Sequence, residues 1–307
     1  MSKPMVAMRI ATFAQSNTMI ADALRVQSVM SNEQVQESSG VISTDFGGYG
    51  SNAQHVVNLQ VSVTRAQSYV DSATLADSKV QVMYSAVGSM TDIITQLRSQ
   101  LSSASTGSST DSNSVISSAK QMMDEMGSLM NTQYDGQYVF AGGKTDTAPV
   151  DLTSFSSGTG STTTADTSYY KGGDEIASVR VANDQTVSYG VTADNSAFEQ
   201  VMRVLKFVAN STSLSSSDIT SALNLASTAL DDTAAVQARL SSSASSIETA
   251  SARQSDYKSY AETLSSDLTG VDVAAVTAQL STYQSQLTAS YSALGKILSM
   301  NLASYLK

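Results

Sequence analysis

Residues 63–101, with the sequence VTRAQSYVDSATLADSKVQVMYSAVGSMTDIITQLRSQL, carry the pattern that decides the fold. Apolar side chains recur in this stretch at steps of three and four that alternate almost throughout, which is the heptad spacing of a helix that packs along another helix. These positions are Val63, Ala66, Val70, Ala73, Ala76, Val80, Met83, Val87, Met90, Ile94, Leu97 and Leu101. The stretch therefore predicts one long helix with a single apolar face.

A second long helix is predicted nearer the end of the chain, as the natural antiparallel partner of the first. Its apolar positions are Ile219, Leu223, Ala226, Leu230, Leu240, Ala244, Ile247, Tyr257, Ala261, Leu264 and Leu268.

A shorter helix is predicted over residues 115–129, after a turn at residues 106–114 whose Ser, Thr and Asp side chains can act as N-caps. Helical spacing also occurs at Phe198, Val201, Leu205 and Val208.

A third apolar stripe reaches the last residues of the sequence. Its side chains recur at steps of 4-3-4-4-3-4-4-3, at Val276, Leu280, Tyr283, Leu287, Tyr291, Leu294, Leu298, Leu302 and Tyr305. Because no polar turn or glycine cap closes this stripe, it predicts a surface that another helix covers. The ordinary alternative, the last helix of a self-contained bundle, stays open at this point.

The middle of the chain predicts a small β insert. Residues 137–143 are typical of a short strand that ends at a Gly-Gly turn, and two further strands are expected at residues 177–182 and 186–191. We therefore predict a mainly α fold, in which the N- and C-terminal segments form a long antiparallel, coiled-coil-like helical bundle around a β-hairpin-rich insert. The predicted segments are 1–50, 51–136, 137–195, 196–269 and 270–307.

The composition argues against several classes of partner. The net charge is -10, and the 17 Lys and Arg residues are widely scattered, so no nucleic acid partner is expected. No stretch approaches the roughly 20 apolar residues of a membrane span, so no membrane insertion is expected. The absence of cysteine removes disulfides and thiolate sites.

The chain contains little that could carry out catalysis. His55 is the single histidine, and no acidic or metal-ligand spacing surrounds it. The glycines at residues 46–50 follow no predicted strand and precede no Lys-Ser or Lys-Thr pair, so they indicate a joint between helices rather than a phosphate loop. We expect no enzymatic activity, no cofactor and no metal site.

Several strings resemble the bacterial flagellin family, which includes filament flagellin and the junction protein between hook and filament. The longest, NTQYDGQYVFAGGKTDTAPV at residues 131–150, is similar to the segment in which a helix of the junction protein ends and a β-hairpin begins. Shorter resemblances lie at residues 8–10, 38–40, 169–173 and 187–191 and along the C-terminal helix. Residues 41–50 depart from the family, which often has a basic residue and an Asp-rich, Pro-containing turn at this place.

The resemblance implies a structural subunit of the bacterial flagellum, located outside the cell and used for swimming motility. Such a subunit is exported unfolded by a type III apparatus, with an export chaperone on its C-terminal helix. It associates with itself, with other hook-associated proteins and with flagellin. Residues 1–50 and 270–307 would form its inner-tube region. The residues expected to contact neighbouring subunits are Ile10, Phe13, Ile20, Leu24, Val276, Leu280, Tyr283, Leu287, Tyr291, Leu294, Leu298, Leu302 and Tyr305.

Two alternatives stay open. The first is filament flagellin rather than the junction protein, although Met8-Arg9-Ile10 and the string at residues 131–150 favour the junction protein. The second is a secreted, non-enzymatic translocator or effector module, which would also combine long helices, low charge and no signal peptide.

Overall fold

The computed structural model describes residues 3–106, 109–153, 155, 157–158 and 160–303, with side chains described over residues 14–106, 112–153, 155, 157–158 and 160–297. The α-helices in this part of the chain are α1 (Lys3–Ser39), α2 (Ala53–Thr106), α3 (Ser109–Met130), α4 (Ser196–Ala209), α5 (Ser216–Thr269) and α6 (Val273–Ala303). The strands are β1 (Gln133–Tyr134), β2 (Gln137–Tyr138), β3 (Ser178–Arg180) and β4 (Thr186–Ser188). The prediction of a mainly α-helical bundle with a small β insert is confirmed.

The chain divides into two compact units. The terminal unit consists of Met1–Thr64 with Ser259–Lys307, and the central unit consists of Arg65–Lys258. The terminal unit is therefore built from both ends of the sequence, and the central unit from the residues between them. Helices α2 and α5, each 54 residues long, contribute to both units.

The core of the central unit follows the heptad pattern of α2. Val80, Met90 and Leu97 are completely buried, as the spacing predicts. They belong to one apolar cluster that also contains Met126 of α3, Leu205 of α4 and Leu240 of α5. The spacing at Phe198, Val201, Leu205 and Val208 is confirmed as the buried face of α4. Burial of these faces, at about 25 cal/mol per Å² of apolar surface, stabilises the unit.

Two hairpins form the β part of the insert. Strands β1 and β2 are joined by Asp135 and Gly136, whose φ angles of 50° and 72° are those of a tight two-residue hairpin turn. Strands β3 and β4 pair antiparallel, with Val179 opposite Val187. The strand predicted over residues 137–143 is shorter than expected, since β2 ends at Tyr138 and the chain then turns; Gly142, with a φ of 61°, lies in the turn that follows.

A long loop of the insert is fastened to α4 by polar contacts. Glu199, which is 4% exposed, accepts a hydrogen bond from the backbone N–H of Asp166 at 2.9 Å. Lys206 Nζ donates to Asp166 Oδ2 at 2.7 Å and lies 4.4 Å from the centre of the Phe155 ring. Partial burial raises the pKa of Asp166, but hydrogen bonds from Lys206 and Ser168 outweigh this effect and lower the pKa to about 2.

Candidate assembly interface

The two ends of the chain pair in the terminal unit as antiparallel helices. Thr277 Oγ1 of α6 donates a hydrogen bond to Glu37 Oε1 of α1 at 2.8 Å. Next to this contact, Val41 and Gly270 form an antiparallel bridge, with the Ile42 N–H donating to the Thr269 carbonyl at 2.8 Å. These bonds lock the end of α1 to the start of α6, so the helices run along each other in opposite directions.

The covered face of α6 follows a regular heptad. Val276 and Leu280 are buried, at 4% and 5% exposure. The next covered positions, which are half-buried, are Tyr283, Leu287, Ser290, Leu294 and Ile297. Tyr291, which the sequence places on the same stripe, is 53% exposed. The side chains of α6 that contact α1 are therefore spaced alternately four and three residues apart. Tyr291 does not fit this spacing and lies outside the contact between the two helices.

Helix α1 presents two apolar faces. Ala23 is buried, and Met19 and Val26 beside it are half-buried, on the face that α6 covers. Ile20 and Leu24 are 42% and 59% exposed. Successive residues are 100° apart around the helix axis, so Ile20 and Leu24 lie within about 60° of Val35 around the axis of α1. Val35 is also exposed. We call Ile20, Leu24 and Val35 the outer face of α1.

The predicted contact residues thus fall into two groups. Val276, Leu280, Tyr283, Leu287 and Leu294 lie on the face of α6 that is covered within the chain, whereas Ile20, Leu24 and Tyr291 are exposed. The side chains of Ile10, Phe13, Leu298 and Leu302, and all of Tyr305, lie outside the described residues. Contact of all these residues with neighbouring subunits stays a prediction.

Sequence reasoning missed one feature of the covered face. Glu33 lies on α1 at a heptad position, and its Oε2 atom is buried without a hydrogen-bond partner among the described residues. A buried carboxylate oxygen in a helix contact costs free energy unless it is paired. The signal was available, since Glu33 follows Ala23, Val26 and Met30 at heptad spacing.

The joint between the helices is also more ordered than a flexible linker. A short 3₁₀-helix runs over Phe46–Asn52, and Gly50 interrupts it with a φ of 54°. The Tyr49 hydroxyl donates to the carbonyl of Ser43. Phe46, Ile42 and Val273 expose between 41% and 50% of their surface around this joint. The sequence analysis identified the glycines of this joint but did not predict that apolar side chains would be exposed around it.

The described residues offer little for chemistry on a small molecule. Among them, no three His, Asp or Glu side chains are grouped as metal ligands would be. His55 is exposed in the first turn of α2. A shallow cavity of about 40 Å³, lined by Lys79, Tyr138, Glu175 and others, has room for only a few water molecules. Within the same residues, we find no helix with the length and apolarity of a membrane span.

Comparison with known proteins bears on this geometry. Residues 10–145 match the family model of the bacterial flagellin N-terminal helical region, which confirms the resemblance seen in the sequence. A structure assigned as a flagellar hook-associated protein from Vibrio parahaemolyticus superposes with a TM-score of 0.58 at 16% identity, over 71% of this chain and 97% of that one. Flagellar hook-associated protein-3 from Legionella pneumophila gives 0.56 at 13% identity, over 69% and 98%. No curated protein sequence matches the chain. At these identities the two structures show a shared fold.

Proposed function

We propose that this chain is a structural subunit of the bacterial flagellum, assembled through its terminal helices for swimming motility. The match of residues 10–145 to the family model of the bacterial flagellin N-terminal helical region supports this proposal. The observation that carries the proposal is the pairing of α1 with α6, which leaves the outer face of α1 uncovered. Ile20 and Leu24 are exposed on adjacent turns of this face, and exposed apolar side chains that lie together on a paired helix can form a protein contact. Burial of the part of Leu24 that is still exposed, 59% of its surface, would contribute about 1–2 kcal/mol.

Within the flagellum, we place the chain at the junction between hook and filament. This choice is supported by the string at residues 131–150, which follows the end of α3 and contains the β1–β2 hairpin. The two solved structures compared above are both titled as flagellar hook-associated proteins, the one from Vibrio parahaemolyticus by assignment. Filament flagellin is the alternative, because it shares the paired terminal helices.

We also propose that the chain is exported unfolded to the cell exterior and that a chaperone covers α6 before export. The support is physical. Val276 and Leu280 are buried in the terminal unit, where α6 packs against α1, so an unpaired α6 would present an open apolar stripe. Such stripes aggregate unless they are covered. The absence of cysteine leaves no disulfide that would block threading of the chain.

A deletion strain tests the junction role. We expect electron microscopy to show hooks without filaments, with monomeric flagellin secreted into the medium. A strain that keeps its filaments would contradict this role. Long filaments formed by the purified chain alone would favour filament flagellin instead.

A point variant tests the outer face of α1. Leu24→Asp places a charge on this face, so we expect export of the chain without assembly, because an unpaired charge in an apolar contact is costly. The matched control is Leu75→Asp, since Leu75 is 48% exposed on α2 in the central unit. Normal assembly of Leu24→Asp would exclude this face from the subunit contact.

A self-contained secreted module is the second candidate, because α6 already covers part of α1 within one chain. Hydrogen exchange on the monomer separates the two functions. Rapid exchange over residues 8–36 and 275–303, with protection appearing in assembled material, supports a polymerising subunit. Protection of these residues in the monomer supports the self-contained module.

A further inference from the structure

The face of α1 that α6 covers ends in two carboxylates. Glu33 follows Met30 at heptad spacing, and its Oε2 atom is buried without a hydrogen-bond partner among the described residues. Glu37 lies one turn further along, and its Oε1 atom accepts the hydrogen bond from Thr277 at 2.8 Å. No other residue between 26 and 39 has a charged side chain. The acidic side chains of this segment are therefore placed at the contact with α6.

The part of α6 opposite these carboxylates is uncharged. Residues 273–295 contain no Asp, Glu, Lys, Arg or His. The bond to Thr277 sets an antiparallel register, so Glu33 lies beside the turn of α6 that begins at Leu280. Helix α6 therefore gives α1 apolar surface and a hydroxyl donor, and it brings no second charge into the contact.

The apolar part of the covered face of α1 does not by itself select α6. The apolar side chains that precede Glu33 on this face are Met19, Ala23, Val26 and Met30. The α1 helix of a second copy carries the same stripe, and a parallel helix pair in register places each residue opposite its own copy. Such a pair would bring two Glu33 carboxylates together, with two Glu37 carboxylates one turn away. Like charges that meet across a contact oppose that pairing.

We propose that Glu33, together with Glu37, determines the partner of α1: the two carboxylates allow pairing with the uncharged α6 and exclude pairing with the α1 helix of a second copy. The inference rests on the proposed function, because copies that assemble through terminal helices meet where wrong helix pairs can form. A polar side chain at a buried heptad position selects the partner of a helix at a cost in stability. The unpartnered Oε2 atom of Glu33 is the source of that cost.

A single thiol on the covered face of α1 can report the excluded pair. The chain has no cysteine, so Val26→Cys introduces the only thiol. Val26 is half-buried on the covered face, and a disulfide between two copies requires their Cα atoms to lie within about 7 Å. Oxidation of the full chain at a fixed concentration, followed by gel electrophoresis without reductant, measures the fraction of linked dimer. We call this variant the parent chain.

Removal of the two charges should release the excluded pair. Glu33→Gln with Glu37→Gln keeps the size of both side chains and their ability to accept hydrogen bonds. We expect this double substitution to raise the dimer fraction of the parent chain about threefold or more, because the repulsion between copies is lost. The matched control is Glu125→Gln with Glu248→Gln, which changes the net charge equally at exposed helix positions of the central unit. This control should leave the dimer fraction unchanged.

A second control separates selection from mere loosening of the α1–α6 pair. Thr277→Val removes the hydrogen bond to Glu37 but leaves both carboxylates, so it should not raise the dimer fraction. An equal rise in Thr277→Val would overturn the proposal, and so would equal dimer fractions, including none, in the parent chain and the Glu→Gln double variant. Either result leaves the proposed function standing. A deletion strain that keeps its filaments would contradict the junction role without changing these dimer fractions.

The position of the thiol tests which face of α1 is involved. Ser28 is exposed and lies about 200° from Val26 around the axis of α1, on the side away from the covered face. The rise in dimer fraction caused by the Glu→Gln double substitution should appear with Val26→Cys and be absent with Ser28→Cys. If the double substitution raises the dimer fraction equally with both thiols, the α1 helices do not meet through the covered face and the proposal is wrong.

Discussion

Thr277 donates a hydrogen bond to Glu37 across 240 positions of sequence, at an Oγ1 to Oε1 distance of 2.8 Å. This bond, with the bridge between Val41 and Gly270, sets the register in which the two ends of the chain pair. The register then determines which apolar side chains of α1 and α6 are covered.

The covered residues of α6 should stabilise the helix pair. Leu280→Ala removes a side chain that is 5% exposed and should lower the free energy of opening the α1–α6 pair by about 2–3 kcal/mol. Hydrogen exchange of the α1 amides measures this opening. The control Leu24→Ala lies on the exposed outer face and should change it by less than about 0.5 kcal/mol. Equal effects of the two substitutions would contradict the observed register.

Replacement of Glu33 should stabilise the same helix pair. Glu33→Leu removes the buried Oε2 atom that lacks a partner and adds apolar surface to the contact, so we expect a gain of about 1 kcal/mol. Thermal unfolding and hydrogen exchange report the gain. Glu37→Leu is the matched control, because it removes the bond to Thr277 and should give no gain. A loss of stability in Glu33→Leu would show that the carboxylate is paired in solution.

The bond between Lys206 and Asp166 should make the insert sensitive to acid. The folded-state pKa of Asp166 is about 2, below its ordinary value of 3.8, so its ionised form is stabilised by folding. The contribution is complete above pH 4 and is lost as the pH falls from about 4 to about 2. Asp166→Asn should cost about 1 kcal/mol at pH 7 and much less at pH 2.

Chemical unfolding at both pH values measures this difference. The control is Asp184→Asn, at an exposed position in the turn between β3 and β4, which should leave the stability nearly unchanged. A cost for Asp166→Asn that is equal at pH 2 and pH 7 would rule out the ionised pair as its source.

Glycine is required at position 142 for two reasons. Its φ is 61°, and a Cβ there would lie about 2.1 Å from the carbonyl oxygen of Gly173. Gly142→Ala should therefore destabilise the insert by about 3 kcal/mol or more, because backbone strain and a steric clash add. Gly136→Ala is the control, since its φ is 72° but nothing lies within 4 Å, and its cost should be about 1 kcal/mol. Circular dichroism thermal melts compare the two.

Local patterns predicted the elements correctly where a single physical cause dominated. The heptad spacing that includes Val80, Met90 and Leu97 predicted a long helix with one buried face, and α2 is that helix. The spacing of Phe198, Val201, Leu205 and Val208 predicted a further buried helix face, which α4 supplies. The small β insert and the mainly α class follow from the same kind of evidence.

Local patterns could not predict which side chains take part in each contact between distant segments. Tyr291 fits the apolar stripe as well as its neighbours do, yet Ser290 is covered and Tyr291 is exposed. The choice depends on the partner helix, whose register comes from Glu37, 240 residues before Thr277. The Gly-Gly turn was predicted, but the close approach of Gly142 to Gly173 was not, because Gly173 lies 31 residues further along the chain.

The sequence by itself determined which segments are helical, where the chain turns and that both ends carry apolar stripes, since these features depend on neighbours within a few residues. Only the tertiary structure decided which stripe residues are covered and which form an exposed outer face. The physical reason is that burial depends on which distant segments pack together, and antiparallel pairing of α1 with α6 sets that packing.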